Sequence, residues 1–203
     1  MFLFMKKMMN KLSLVALLAI GILSAFAVNF YEKSPDNPAT EHSQLSKRQL
    51  DLLNAPPLAT GSKIDKIVVR KADREMDVFY QGNFLKTYPI SLGKNPIGHK
   101  EFEGDMKTPE GVYAINDRNA NSGYHKNLGI SYPNEADIAY AKAHGKLAGG
   151  AIKIHGIKNG LGDIIGANHL LKDWTHGCIA VTDPEIDELF VAVVEDAMIE
   201  ILP

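Results

Sequence analysis

The sequence predicts a mainly β fold with a few helices, of the α+β class, and three observations support this. Short runs of β-branched and aromatic residues recur between residues 64 and 202, separated by turn-forming residues. Only two stretches of this region have the signals of a helix. The region from residue 63 to residue 203 also has the length expected of one hydrophobic core. We therefore predict one domain over residues 63–203.

Seven segments of this domain are predicted to be strands. The first three lie close together and are separated by short turns, one of which contains Gln81-Gly82-Asn83, so they predict a β-meander. The other four are short and are separated by longer connections. The predicted strands lie near residues 64–69, 76–80, 84–92, 111–115, 151–155, 178–181 and 198–202.

Two helices are predicted, the first over residues 134–144. The second follows Asp183, where Pro184 suits the first helical position. Five apolar residues of this second helix fall on one face, which predicts that this face packs on the core. They are Ile186, Leu189, Phe190, Val193 and Val194.

Residues 1–30 have the pattern of a signal peptide or a signal anchor. Lys6, Lys7 and Lys11 precede an uncharged, mostly apolar run, and Ala25-Phe26-Ala27 has small residues where a cleavage site requires them. We expect the rest of the chain to be exported to the periplasm or cell envelope and to contact a membrane only through this segment. Residues 31–62 are polar and contain four prolines, so they predict a tether that includes a short helix over residues 43–53.

The charge balance argues against nucleic acid as a partner. The formal net charge is −2, and it becomes −5 if residues 1–27, with three lysines and no acidic residue, are removed. A nucleic-acid-binding domain carries a basic surface instead.

Cys178 is the only cysteine of the chain, and it is predicted to be a nucleophile. A lone cysteine in an exported protein cannot form an intramolecular disulfide. It directly follows His176-Gly177, and His155-Gly156 lies upstream. A thiol attacks as its thiolate and needs an imidazole or a positive dipole close by.

A metal site is the alternative use of these residues. His169, His176 and Cys178 are the candidate ligands, but they lack the repeated ligand spacing of zinc sites. We therefore predict neither a metal nor another cofactor.

These motifs resemble those of the L,D-transpeptidases with a YkuD-type catalytic domain. The shared pattern is a histidine, here His155, a spacer, and then Ser/Thr-His-Gly-Cys, here ending at Cys178. The run from Thr108 to Tyr113 looks like the stretch that precedes the central strands of the family. The resemblance spans residues 63–202 and implies a YkuD-like fold.

The resemblance also implies a role for each motif residue. Cys178 would be the nucleophile and His155 the general base, oriented by the backbone carbonyl of Gly156. The amides of Gly177 and Cys178 would stabilise the oxyanion, and His176 would shape the turn and the environment of the thiol. Further residues, expected to bind substrate, are Tyr124, His125 and Thr175, the first two because they resemble a sub-branch that includes a hydrolase.

The activity implied is attack by Cys178 on tetrapeptide stems of peptidoglycan, which leaves a thioester that an amine acceptor resolves by crosslinking or attachment. A hydrolase of the same family is the alternative, either an L,D-carboxypeptidase or an amidase that releases a wall-linked lipoprotein. All of these reactions use the same thioester. A wall-binding module without activity is the alternative from another class. The expected partners are thus peptidoglycan stem peptides and, for the amidase, a lipoprotein.

Overall fold

A computed structural model describes residues 44–203 of the chain. The predicted signal segment and residues 31–43 of the predicted tether lie outside the described residues. No helix within residues 44–203 is long and apolar enough to cross a membrane.

Eight strands form one sheet, which confirms the predicted mainly β fold. Their order across the sheet is β3-β2-β1-β8-β4-β5-β6-β7. In chain order the elements are α1 (Lys47–Leu53), β1 (Ile64–Arg70), β2 (Glu75–Tyr80), β3 (Asn83–Pro89), β4 (Gly111–Ser122), β5 (His125–Ile130), α2 (Glu135–Ala143), β6 (Lys153–His155), α3 (Gly162–Ile165), a 3₁₀ helix (Gly166–Leu171), β7 (Ile179–Ala180), α4 (Asp183–Ala192) and β8 (Val193–Leu202).

The first three strands form the predicted antiparallel meander. A two-residue turn joins β2 to β3, and both of its residues have positive φ, +50° at Gln81 and +80° at Gly82. This is the geometry of a type I′ turn, whose twist matches that of the strands it joins.

The core lies around β1 and its parallel neighbour β8, the last strand of the chain. Ile67 and Val69 of β1 and Ile199 of β8 are fully buried. Their spacing of two residues places the apolar side chains of each strand on one face. The fold therefore joins the first and last strands of the domain side by side in the interior of the sheet.

The hairpin of β4 and β5 is longer than the sequence indicated. The strand predicted over residues 111–115 continues to Ser122, and β5 was not predicted. The second half of β4 contains Asp117, Arg118, Asn119 and Asn121 and lacks the β-branched and aromatic residues that mark strands. Pairing with β5 supplies the stability that local sequence preference does not, and β5 in turn pairs with β6.

Helix α4 begins where the sequence predicted it. Thr182 and Glu185 form a capping box, and a proline occupies the first turn. The helix ends at Ala192, so the assignment of Val193 and Val194 to its apolar face was wrong. Val193 begins β8, because pairing with Ile64 of β1 takes its backbone into the sheet.

Part of the predicted tether packs on the domain. Helix α1 buries Leu52, and Arg48 binds Glu75 of β2 at 2.7 Å. Farther along, the main-chain amide of Leu58 donates to Glu188 of α4. Helix α1 and Leu58 are therefore folded against the sheet and against the helix that follows Cys178.

Candidate active site

The two predicted catalytic residues lie on neighbouring strands. The parallel pairing of β6 with β7 aligns Ile154 with Ile179 and His155 with Ala180. Cys178 directly precedes β7, and side chains two residues apart share one face of a sheet. His155 and Cys178 therefore face the same side as diagonal neighbours, and both line one cleft of about 440 Å³.

His155 is held by a main-chain carbonyl, as the family resemblance implied. The ring is buried, and its Nδ1 lies 2.7 Å from the carbonyl oxygen of Gly156. A carbonyl can only accept, so Nδ1 carries the proton and Nε2 is free to accept one. Burial lowers the pKa of His155, against the opposing effect of the Gly156 carbonyl. The imidazole is therefore neutral, with one nitrogen able to accept a proton.

A carboxylate of α4 fixes the peptide unit that holds this histidine. The amide of Ile157 belongs to the same peptide unit as the Gly156 carbonyl, and it donates to Asp183 Oδ1 at 2.7 Å. A Cβ on Gly156 would lie 2.5 Å from Asp183 Oδ1, and one on Gly162 would lie 2.1 Å from Asp183 Oδ2. The two glycines thus make room for the carboxylate, which orients His155 through the peptide plane.

The thiol of Cys178 is half-buried and protonated in this environment. Its Sγ lies 3.6 Å from the carbonyl oxygen of Ala151, which accepts the thiol proton. Burial raises the pKa of Cys178, while the main-chain amide and the charge of Lys153 act in the opposite direction. Thiol and imidazole are therefore both neutral at rest, so a nucleophilic role for this sulfur would require its proton to be removed as it attacks.

Thr175 stabilises the turn of residues 175–178, which carries Cys178. Its Oγ1 accepts from the Gly177 amide at 3.1 Å and donates to the Cys178 carbonyl at 2.7 Å. The Gly177 amide, expected to be an oxyanion donor, would have to leave Thr175 to serve an oxyanion. The Thr175 side chain lines the cleft, but both of these hydrogen bonds lie within the turn.

Gly177 has a backbone conformation that other residues rarely adopt. Its φ is +125°, and a Cβ there would lie 2.6 Å from the Lys107 carbonyl oxygen and 3.1 Å from Ile152. The turn of residues 175–178 is therefore packed directly on the loop that contains Lys107.

A buried lysine holds this loop in place. Lys71 Nζ donates to the Thr108 carbonyl at 3.1 Å and binds the Glu110 carboxylate at 2.7 Å. Thr108 Oγ1 in turn accepts from the Gly93 amide at 3.1 Å. The loop behind Gly177 is thus fastened to the residue that follows β1 and to the segment after β3.

Aromatic rings enclose the imidazole of His155. The Tyr124 ring centroid lies 4.8 Å from that of His155 and 6.1 Å from that of Trp174, with which it stacks. Trp174 also meets the His155 ring edge-to-face at 5.6 Å. These contacts explain the burial of the imidazole and thus its lowered pKa.

The structure separates the expected substrate-binding pair Tyr124 and His125. Tyr124 lines the cleft, whereas His125 lines an adjacent cavity of about 550 Å³. His125 Nε2 binds Asp187 of α4 at 2.8 Å. His176 is exposed and lines the cleft together with Cys178.

Sequence reasoning did not identify several residues that line the cleft. Trp174 had a signal, since it is the only tryptophan of the chain and lies next to the motif. The others had none, because they come from the β4–β5 hairpin and from β6, whose placement depends on strand pairing. They are Asn119, Asn121, Ser122, Gly123, Asn127 and Lys153.

Within residues 44–203 no group of three or more histidine, cysteine, aspartate or glutamate side chains is placed to hold a metal ion. His169 instead packs in the interior, where Ser91 Oγ donates to its carbonyl at 2.8 Å and lies 3.2 Å from its Nδ1. Burial, with a smaller contribution from nearby His155, lowers the pKa of His169 to about 4.

Comparisons with known proteins agree with this architecture. The model of the YkuD L,D-transpeptidase catalytic domain matches residues 64–201. A stretch of 130 residues is 32% identical to "Putative L,D-transpeptidase YafK" of Escherichia coli (strain K12), and it covers 61% of this chain and 45% of that protein. The crystal structure of the helical cell shape determining protein Pgp2 from Campylobacter jejuni has a similar fold, with a TM-score of 0.52 at 24% identity over 79% of this chain and 55% of that one.

The chain thus spans less than half the length of the Escherichia coli relative and about half that of the Campylobacter protein. The match to the family model nevertheless includes every strand except the last residue of β8. The resemblance inferred from the motifs is confirmed, and the chain belongs to the family of YkuD L,D-transpeptidase catalytic domains.

Proposed function

We propose that this protein is a peptidoglycan L,D-transpeptidase that acts through a thioester on Cys178. The observation that carries the proposal is that Cys178 shares a cleft with a buried histidine whose Nε2 is the free, proton-accepting nitrogen. A neutral imidazole beside a neutral thiol is a suitable general base for nucleophilic attack.

In the first step the Cys178 sulfur attacks the carbonyl carbon of the amide between the third stem residue and the terminal D-alanine. His155 Nε2 takes the thiol proton and transfers it to the nitrogen of the leaving D-alanine. The C–N bond breaks and a thioester to the sulfur remains. Negative charge on the carbonyl oxygen is stabilised by the amide of Cys178, joined by that of Gly177 when it releases Thr175.

In the second step an amine of another stem peptide attacks the thioester. His155 accepts a proton from this amine and returns it to the sulfur, so Cys178 leaves as the thiol. Asp183 keeps the Gly156 carbonyl, and therefore Nδ1 of His155, in one orientation through both steps. The protein would act in the periplasm or cell envelope, where its substrate is located.

The test is incubation of the purified full-length chain with peptidoglycan tetrapeptide fragments, with Cys178→Ala as the blank. Intact-protein mass spectrometry should detect an acyl group on the wild type and none on the variant. Crosslinked dimers among the products would support the transpeptidase.

The same products distinguish the alternatives. Loss of D-alanine alone indicates a carboxypeptidase, and release of peptide from a protein-linked muropeptide indicates the amidase. If acylation and products are identical in wild type and Cys178→Ala, the enzymatic proposal is wrong, and retention of both proteins on isolated cell wall would then support a wall-binding module.

A further inference from the structure

Lys153 lies beside the nucleophile in the cleft. The β6–β7 register aligns Ile154 with Ile179. The residues before these two, Lys153 and Cys178, are therefore neighbours on the adjacent strand segments. Adjacent strands lie about 4.8 Å apart, and the lysine side chain lines the same cleft as the thiol. A ligand that presents a carbonyl to Cys178 therefore places its neighbouring groups within reach of Lys153.

The ammonium of Lys153 is held loosely by the protein. Its Nζ lies 3.4 Å from Asn127 Oδ1 and 3.6 Å from Asp117 Oδ2, and both distances are long for such contacts. The Lys153 side chain is 31% exposed and that of Asp117 is 56% exposed. An ammonium has three donors, so Lys153 can exchange these contacts for a ligand at little cost.

Two other lysines near the loop behind the nucleophile are bound differently. Lys71 Nζ has three oxygen acceptors at 2.7–3.1 Å, and Lys100 Nζ has two at 2.8–2.9 Å. Both side chains are almost fully buried, as expected of lysines that fasten a loop. The weak contacts and partial exposure of Lys153 leave its ammonium able to bind a ligand in the cleft.

Among residues 44–203, no carboxylate lines the cleft around Lys153, since Asp117, which Lys153 contacts at 3.6 Å, is not among the lining residues. Its lining consists of asparagine amides, hydroxyls, aromatic rings, imidazoles and the thiol, and Lys153 is the only Lys, Arg, Asp or Glu among the lining residues that the structure describes. A polar cleft with one lysine and no carboxylate in its described lining suits a ligand that carries a carboxylate at one defined place.

We propose that Lys153 Nζ binds a free carboxylate of the donor stem peptide, next to the amide that Cys178 attacks. This subsite rests on the proposed function and specifies its substrate class as stem peptides with a free carboxylate at that place. The carboxylate of the terminal D-alanine and the side-chain carboxylate of diaminopimelate have the same chemistry. Peptides in which the bound carboxylate is converted to a carboxamide should be poor ligands, because the ammonium then gains no ion pair.

Peptide binding tests the subsite without turnover. In a Cys178→Ala background, the dissociation constant of the tetrapeptide is measured by calorimetry with Lys153, Lys153→Gln and Lys153→Arg. Lys158→Gln is the matched control, because it removes the same charge from an exposed lysine outside the cleft. Lys153→Gln should weaken binding about tenfold to a hundredfold, the range expected for one charge-assisted hydrogen bond.

Two modified peptides identify which carboxylate is bound. One carries a carboxamide on the terminal D-alanine and the other a carboxamide on the diaminopimelate side chain. The peptide that lacks the bound carboxylate should have the same affinity for the Lys153 and Lys153→Gln proteins. Lys153→Arg should remain within a few-fold of Lys153, and Lys158→Gln should match the unchanged background for all three peptides.

Three outcomes would overturn the subsite: equal affinities in the Lys153→Gln and Lys158→Gln proteins, an equal loss for all three peptides, or no binding of the tetrapeptide. A change in the reactivity of the Cys178 thiol caused by Lys153→Gln is measured separately, by alkylation of Cys178 with iodoacetamide, which has no carboxylate. If the wild type forms no acyl-enzyme while Lys153→Gln still weakens tetrapeptide binding selectively, the reaction proposed above fails and the subsite stands.

Discussion

Replacement of Gly177 by alanine tests whether the turn of residues 175–178 depends on the backbone conformation of this glycine. At a φ of +125° an alanine is disfavoured, at a cost of about 1–3 kcal/mol. Its Cβ would also lie 2.6 Å from the Lys107 carbonyl oxygen, which belongs to the main chain and cannot rotate away. Insertion of a methyl group into a packed site adds about 1–3 kcal/mol.

These two contributions predict a loss of about 4 kcal/mol in the free energy of unfolding. For a domain of this size the loss lowers Tm by about 8–16 °C. Gly104→Ala is the matched control, because Gly104 also has a positive φ, +81°, but nothing lies within 4 Å of its missing Cβ. Only the conformational cost of about 1–2 kcal/mol applies there, which lowers Tm by about 2–8 °C.

Thermal unfolding followed by circular dichroism measures both variants. At a temperature where both are folded, kcat/KM of Gly177→Ala should fall about a hundredfold or more, because the amides around Cys178 move away from the oxyanion. Gly104→Ala should retain the wild-type value. Equal Tm values for Gly177→Ala and Gly104→Ala would refute the argument that the Lys107 carbonyl leaves no room at this turn.

The remaining predictions concern proton transfer and the histidines. Asp183→Ala should reduce kcat at least tenfold with a smaller change in KM, because the Ile157 amide loses its acceptor and His155 its fixed orientation; steady-state kinetics in which only KM changes would contradict this. Alkylation of Cys178 by iodoacetamide should rise with pH to a midpoint above the value of about 8.5 for a free cysteine, because burial raises its pKa; a midpoint below 8 would contradict the neutral resting thiol. As pH falls from 7 to 4.5, the unfolded chain protonates His169 near 6.5 while the folded state, with a pKa of about 4, does not. Wild type should therefore lose about 2–3 kcal/mol more stability over this range than His169→Gln in urea titrations, and parallel losses would rule out this effect.

Local sequence signals were enough to predict several elements of the fold. The β1–β3 meander was predicted from short runs of β-branched and aromatic residues and the Gln81-Gly82-Asn83 turn, and the beginning of α4 from Pro184. These signals act over a few residues, so they can be read directly along the chain. The second half of β4 and the whole of β5 could not be predicted, because their stability comes from pairing with each other and with β6.

The prediction from sequence was wrong at the end of α4, where a local apolar pattern continues into a strand that pairs with a distant part of the chain. Val193 and Val194 continue the apolar spacing of α4, yet Val193 pairs with Ile64 about 130 residues earlier in the chain, where the backbone leaves the helix for β8. Tertiary pairing outweighs helical periodicity when a buried strand has to be completed.

The sequence by itself determined the chemical groups of the candidate site. The lone Cys178 after His-Gly, and His155 before a glycine, specify a thiol and an imidazole, because no other residues supply these groups. Tertiary structure decided how the groups are held. The protonated nitrogen of His155, the carboxylate of Asp183 behind it and the ammonium of Lys153 beside the thiol depend on strands and a helix that meet only in the folded chain. Residue identity sets which chemistry is available, and non-local packing sets distance, burial and charge, on which reactivity depends.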